Sequence, residues 1–159
     1  QLHRIFEQYG EVTNSKTLAR TIVEARRSQP IQTVDGFRNA VRAVVKGNPN
    51  KYFAQVFQAI RIEVNEETEA LREMLEQAAQ VLKKGGRIAV ITFHSGEDRI
   101  VKQFFRSNTF EEEEEHPFES RQRVKILQPV NKKPLTATEE EMKKNPRSRS
   151  ARLRVAEKI

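Results

Sequence analysis

The chain has 159 residues, 36% apolar and 32% charged, with a net charge of +7; that suffices for a domain with a real core, and so low an apolar share suggests a multi-part body. It has no cysteine, which excludes a disulfide framework and a thiolate metal site, and His3, His94 and His116 are too far apart for a metal-binding spacing, so no metal is expected. No apolar run approaches membrane-spanning length and the first residues lack a signal-peptide pattern, so the expectation is a cytoplasmic protein with no membrane partner.

Leu2, Ile5, Phe6 and Tyr9 mark the apolar stripe of a first helix, with Gly10 expected as its left-handed C-terminal residue. A helix that starts without a cap reads as a piece of something longer. Residues 16–28 predict a second helix with Leu18, Ile22 and Val23 inward, ended by Pro30. Thr33 caps a third, carrying Phe37, Ala40, Val41, Val44 and Val45 and closed by Gly47-Asn48-Pro49. Three short basic helices resemble a helix-turn-helix in outline only. Phe53, Val56, Phe57 and Ile60 continue the helical spacing. Asn65 is expected to cap the next helix, whose stripe is Leu71, Met74, Leu75, Ala78 and Leu82, stopped at Gly85-Gly86.

Ile88, Ala89, Val90, Ile91 and Phe93 form a nearly continuous apolar run, the pattern of a strand buried on both faces as in a parallel α/β sheet. Ser95 then caps a helix, with Asp98 closing a capping box and Ile100, Val101, Phe104 and Phe105 packing on the sheet. Phe93, His94 and Ser95 stand at the carboxyl end of that strand, where open α/β sheets bind ligands. Glu111 to Glu115 read as a solvated acidic segment rather than a metal site. Residues 123–128 and 151–157 are the remaining strand candidates, joined by a polar connection from Asn131 to Ser150. In the second of them Leu153 and Val155 alternate with Arg152 and Arg154, predicting one apolar and one basic face.

Charge is unevenly spread: ten Lys/Arg against five Asp/Glu in 1–64, seven against thirteen in 65–120, twelve against four in 121–159. Two basic ends around an acidic middle fit a polyanion gripped at both ends, though ordinary solubilising surface gives the same pattern. No Gly-x-Gly cluster stands between a strand and a helix, so no nucleotide-cradling loop is visible, and no Ser/His/Asp nucleophile set stands out.

Taken together these segments resemble the RsmH (MraW) family. The match runs through Ile5-Phe-Glu-Gln-Tyr-Gly-Glu11, Ala19-Arg-Thr-Ile-Val-Glu-Ala-Arg26 and Phe57-Gln-Ala-Ile-Arg-Ile-Glu-Val-Asn65. It continues through Gly85-Gly-Arg-Ile-Ala-Val-Ile-Thr-Phe-His-Ser-Gly-Glu-Asp-Arg-Ile-Val-Lys102, similar to the family's Ser-Phe-His-Ser-Leu-Glu-Asp-Arg, and through Asn145-Pro-Arg-Ser-Arg-Ser-Ala-Arg-Leu-Arg154. Thr92 replaces the usual Ser and Gly96 the usual Leu.

The resemblance implies an S-adenosylmethionine-dependent methyltransferase that modifies N4 of a cytidine in the decoding region of 16S rRNA, with the small ribosomal subunit as partner. It implies an α/β fold: the C-terminal part of a class I (Rossmann-like) methyltransferase sheet, residues 53–159, preceded by a small all-α substrate-recognition insertion, residues 1–52. The family's N-terminal half, which carries the cofactor loop, is not represented, so this portion alone is expected to be inactive and no cofactor-binding residue is assigned. The family sheet order 3-2-1-4-5-7-6 would leave strands five, seven and six, with strand 88–94 an exposed edge through which the chain could form a homodimer.

His94, Ser95, Glu97 and Asp98 are expected where a flipped-out base could approach, with His94, Ser95 and Asp98 the catalytic candidates, against the plainer reading that Ser95 and Asp98 cap a helix and His94 bonds locally. Gln58 and Arg61 either contact substrate or brace the sheet. Arg20, Arg26, Arg27, Arg38, Arg42, Arg147, Arg149 and Arg152 are candidates for RNA phosphate contacts. The alternative function is a stand-alone basic RNA-binding module without chemistry.

Overall fold

The computed structural model describes residues 1–110 and 125–159, so Glu111 to Glu115 and the start of the 123–128 strand candidate lie outside the described residues. The chain divides into two compact units, Gln1–Glu67 and Thr68–Ile159.

The first unit is all helical: α1 (Leu2–Gln8), α2 (Ser15–Ser28), α3 (Val34–Val41) continued by a 3₁₀ turn (Arg42–Val44), and α4 (Pro49–Val64). Its core joins Phe6, Val12, Leu18, Ile22, Val41, Tyr52, Val56 and Ala59. Because α4 supplies Tyr52, Val56 and Ala59 to this core, the unit extends to Glu67, past the boundary at residue 52 expected from sequence. Thr33 caps α3 as predicted, its hydroxyl accepting from Gly36 N–H at 3.0 Å. Asn14 ties the core together: its amide donates to the Val44 carbonyl at 2.7 Å and its oxygen accepts from the Tyr52 hydroxyl at 3.0 Å.

Two local expectations are corrected. Gly10 is not left-handed; the positive φ falls on Glu11, at 51°. Gly10 is needed for closeness instead, since a Cβ there would sit 2.9 Å from the Gln55 carbonyl oxygen and 3.1 Å from Ala59 Cβ. Asn65 is the C-cap of α4 rather than an N-cap, and its amide donates to Glu67.

The second unit is mixed α/β. It contains α5 (Glu67–Val81, whose first residue belongs to the first unit), β1 (Arg87–Thr92), α6 (Ser95–Ser107), β2 (Leu127–Pro129), β3 (Leu135–Thr136), α7 (Glu139–Lys144), a 3₁₀ turn (Pro146–Ser150) and β4 (Arg152–Lys158). The sheet is antiparallel in the order β1-β4-β2, with β3 also on β4. The last of these strands therefore lies in the middle, which is the 5-7-6 arrangement expected from the resemblance.

β1 is not buried on both faces as its apolar run suggested. Ile88 and Val90 pack on the second core with Leu75, Ala79, Val101, Phe104, Phe105, Leu127 and Ala156, while Ile91 on the other face is 58% exposed. Among the described residues of this unit only one layer covers the small sheet, so alternate residues face out. α7 was missed within the expected polar connection. Its signal is the Thr138-x-x-Glu141 pattern, with the Thr138 hydroxyl accepting from Glu141 N–H and Lys143 and Lys144 in the last turn.

Candidate functional site

The site is built where β1 ends, α6 begins and β4 starts. β1 hands the chain to α6 through Phe93 and His94, and Phe93 is 55% exposed. His94, not Ser95, is the N-cap: its Nδ1 accepts from Glu97 N–H at 3.3 Å. Glu97 reaches back, Oε2 accepting from the N–H groups of Phe93 at 2.8 Å and His94 at 3.4 Å, which completes a capping box. His94 Nε2 lies 3.2 Å from the other Glu97 oxygen, so both ring nitrogens are engaged locally. Gly96 leaves room for this ring, because a Cβ there would lie 3.2 Å from His94 Nδ1.

Asp98 does not cap either. It turns into the sheet, where Arg154 Nε and an Arg154 terminal nitrogen donate to its two oxygens at 2.7 and 3.1 Å. Arg152 adds a third bond at 3.2 Å. Asp98 and Arg154 are both buried, while Arg152 is about half exposed. The two faces expected for this strand are therefore reversed at Arg154: with Ala156 it lies on the buried side. A charge is tolerated there only because the Asp98 carboxylate on α6 takes two of its guanidinium nitrogens.

These contacts settle the ionisation of the two carboxylates. The hydrogen bonds from Arg154 are the largest influence on Asp98 and hold its pKa below the usual range, against a smaller opposing effect of burial. Burial is the largest single influence on Glu97 and raises its pKa. The bond from His94 and the backbone N–H groups together outweigh it, and the net direction is downward. Both groups are carboxylates at neutral pH and poor proton donors or bases. What the end of the sheet offers is positive charge: Arg152 on β4, and exposed Arg147 and Arg149 on the 3₁₀ turn that leads into it.

Of the sequence candidates, the second unit thus gathers His94, Ser95, Asp98 and Arg152 at one end of the sheet. Ser95 opens α6. In the first unit Arg20, Arg26 and Arg27 are exposed on α2, and Arg38 and Arg42 on α3 and its 3₁₀ extension. Gln58 is half-buried on α4, and Arg61 holds Glu67 through bonds of 2.8 and 3.0 Å. Glu97 and Arg154 carry more of the local structure than sequence spacing suggested. The clue to Arg154 is a long cation one strand position from an apolar face with a carboxylate in the preceding helix. Among the described residues no group of three or more His, Cys, Asp or Glu could hold a metal ion, and no helix is long and apolar enough to cross a membrane.

The model of the MraW methylase family matches residues 1–159. Relatives named "Ribosomal RNA small subunit methyltransferase H" include that of Azobacteroides pseudotrichonymphae, 50% identical over 98% of this chain and 51% of its own length. That of Flavobacterium johnsoniae is 46% identical over 99% of this chain and 52% of its own length. That of Parabacteroides distasonis is 46% identical over 98% and 51%. The chain spans about half the length of the curated relatives it matches. With the family model matched from the first residue to the last, the chain belongs to the MraW methylase family.

Proposed function

We propose that this chain is part of an S-adenosylmethionine-dependent methyltransferase of small-subunit ribosomal RNA, and that the modified atom is N4 of a cytidine in the decoding region of 16S rRNA. The observation that carries this reading is the family match along the whole chain, joined to relatives that bear an rRNA methyltransferase name. The small ribosomal subunit is then the partner and the cytoplasm the location.

The described residues do not fit S-adenosylmethionine itself. The glycine pair Gly85-Gly86 precedes β1 instead of following a strand. At the β1–α6 turn the N–H groups of Phe93, His94 and Glu97 are taken by the His94 and Glu97 side chains. The cofactor site is accordingly assigned to the part of the relatives that this chain does not span. The chain's own share is RNA recognition and scaffolding. Helices of the first unit form the recognition insertion, and Arg20, Arg26, Arg27, Arg38, Arg42, Arg147, Arg149 and Arg152 contact RNA phosphates.

The test is a chimera in which this chain replaces the matching half of the Azobacteroides pseudotrichonymphae relative. It is assayed for methyl transfer to small subunits from cells lacking the enzyme, with nucleoside analysis of the product. 4-Methylcytidine in the 16S rRNA is the expected result; a folded, cofactor-binding chimera that methylates nothing, or another base, overturns the reading. The second reading, a basic RNA-binding module without chemistry, is favoured by the absence, among the described residues, of a glycine-rich turn between a strand and the helix after it. Calorimetric titration of S-adenosylmethionine into this chain alone bears on it. No heat is expected; saturable binding would place a cofactor site here and remove that ground for the second reading.

A further inference from the structure

We infer that the first unit carries a stacking platform for an unpaired base of single-stranded RNA, formed by Phe57 with Phe37 and Phe53 and served by Arg38. The inference rests on the reading of the chain as an RNA-acting protein. It adds residues that helical periodicity assigned only to packing.

Phe37 from α3 and Phe53 and Phe57 from α4 form a half-buried aromatic group at the surface of the helical unit. Phe57 lies 5.6 Å from Phe37 between ring centroids, tilted by 51°, and 6.1 Å from Phe53, stacked within 28°. Tyr52 meets Phe53 edge-on at 6.0 Å, which fixes that ring from below by joining it to the buried core. The Arg38 guanidinium lies over the Phe53 ring, 5.1 Å from its centroid, so an exposed cation is held in a set orientation beside the rings. Arg42 follows one turn on and is also exposed.

Rings interleaved with oriented guanidinium groups are what unpaired nucleic acid recognises, because every base has a π-face and every nucleotide a phosphate. The surrounding charge agrees: residues 1–64 hold ten Lys/Arg against five Asp/Glu, which favours a polyanion over an acid-seeking or apolar partner. In this arrangement the base stacks on Phe57, and Arg38 and Arg42 meet the flanking phosphates.

The test titrates this chain, without S-adenosylmethionine, against a single-stranded oligoribonucleotide of about a dozen nucleotides containing 2-aminopurine, and against its duplex. Binding should prefer the single strand and change the 2-aminopurine emission. Phe57→Leu should weaken binding about 5- to 100-fold with an unchanged salt slope, and Phe57→Tyr should restore it. Arg38→Gln should lower the slope of log affinity against log salt by about 0.7. Equal affinity of Phe57→Leu and the parent chain for the single strand overturns the platform while leaving RNA binding intact. Equal affinity for single strand and duplex, or an unchanged 2-aminopurine signal on the parent chain, overturns it whether or not Phe57→Leu folds. Absence of binding to either RNA overturns this inference and the RNA-recognition role together, and self-association blocked by Phe57→Leu assigns the face to a second copy instead.

Discussion

Asp98 on α6 and Arg154 on β4 meet through two hydrogen bonds, 2.7 and 3.1 Å, with both side chains buried. The helix that follows β1 is thereby fastened to the central strand of the sheet by an ion pair as well as by the apolar contacts of Val101, Phe104 and Phe105.

Acid should release that fastening. The folded-state pKa of Asp98 lies below its unfolded value of about 3.9, so the pair stabilises fully above that pH and less as pH falls through the folded value. Glu97, also held low, acts in the same direction. Asp98→Asn should cost about 3–5 kcal/mol at pH 7, by leaving Arg154 buried without a counter-charge, and should flatten the acid loss of stability. Urea unfolding at pH 7 and at pH 3 to 4 checks this; parallel losses in parent and variant would show that the pair is not the source.

The local role of His94 makes a separable prediction. Asparagine is a strong N-cap and alanine is not, so His94→Asn should hold stability while His94→Ala loses about 1 kcal/mol. Thermal unfolding of the three chains decides it, and a loss of equal size in both variants would mean that capping is not what His94 supplies.

Gly10→Ala should destabilise the first unit by about 1–3 kcal/mol, the usual cost of forcing atoms into a packed contact. The neighbour is a backbone carbonyl at 2.9 Å, which cannot rotate away. A denaturation midpoint equal to that of the parent chain would show that α1 and α4 have slack the geometry denies.

β1 pairs with β4 along one side, and among the described residues no strand pairs its other side. Its six residues hold one charge, Arg87, with Ile91 exposed, a profile that invites edge-to-edge pairing. We predict an antiparallel homodimer through β1, dispersed by Ile91→Lys. Light scattering with size-exclusion chromatography should give twice the chain mass for the parent; a monomer with fast amide exchange at Ile88 to Ile91 would refute the pairing.

Much of this architecture was legible because it rests on periodicity and punctuation. The helical stripes, the Thr33 cap and the placement of β1 and β4 each need only neighbours in sequence. The errors arose where a partner distant in sequence decides. Ser95 and Asp98 have capping spacing, yet His94 and Glu97 cap α6 because Arg154, 56 positions on, claims Asp98. Gly10 reads as a helix stop, but Gln55 and Ala59 explain it. The aromatic group of Phe37, Phe53 and Phe57 looked like core because spacing shows which residues share a face, not whether another layer covers it.

The position of β4 has a consequence for how the protein comes into being. β1 and β2 each pair with β4 and neither pairs with the other, and β4 follows β1 by 60 residues or more. During synthesis β1 therefore emerges before the strand it pairs with in this sheet, and that pairing waits until those residues have been translated. At about 5–20 residues per second that interval lasts seconds, so the β1–β4 ladder closes only at the end of this segment's synthesis.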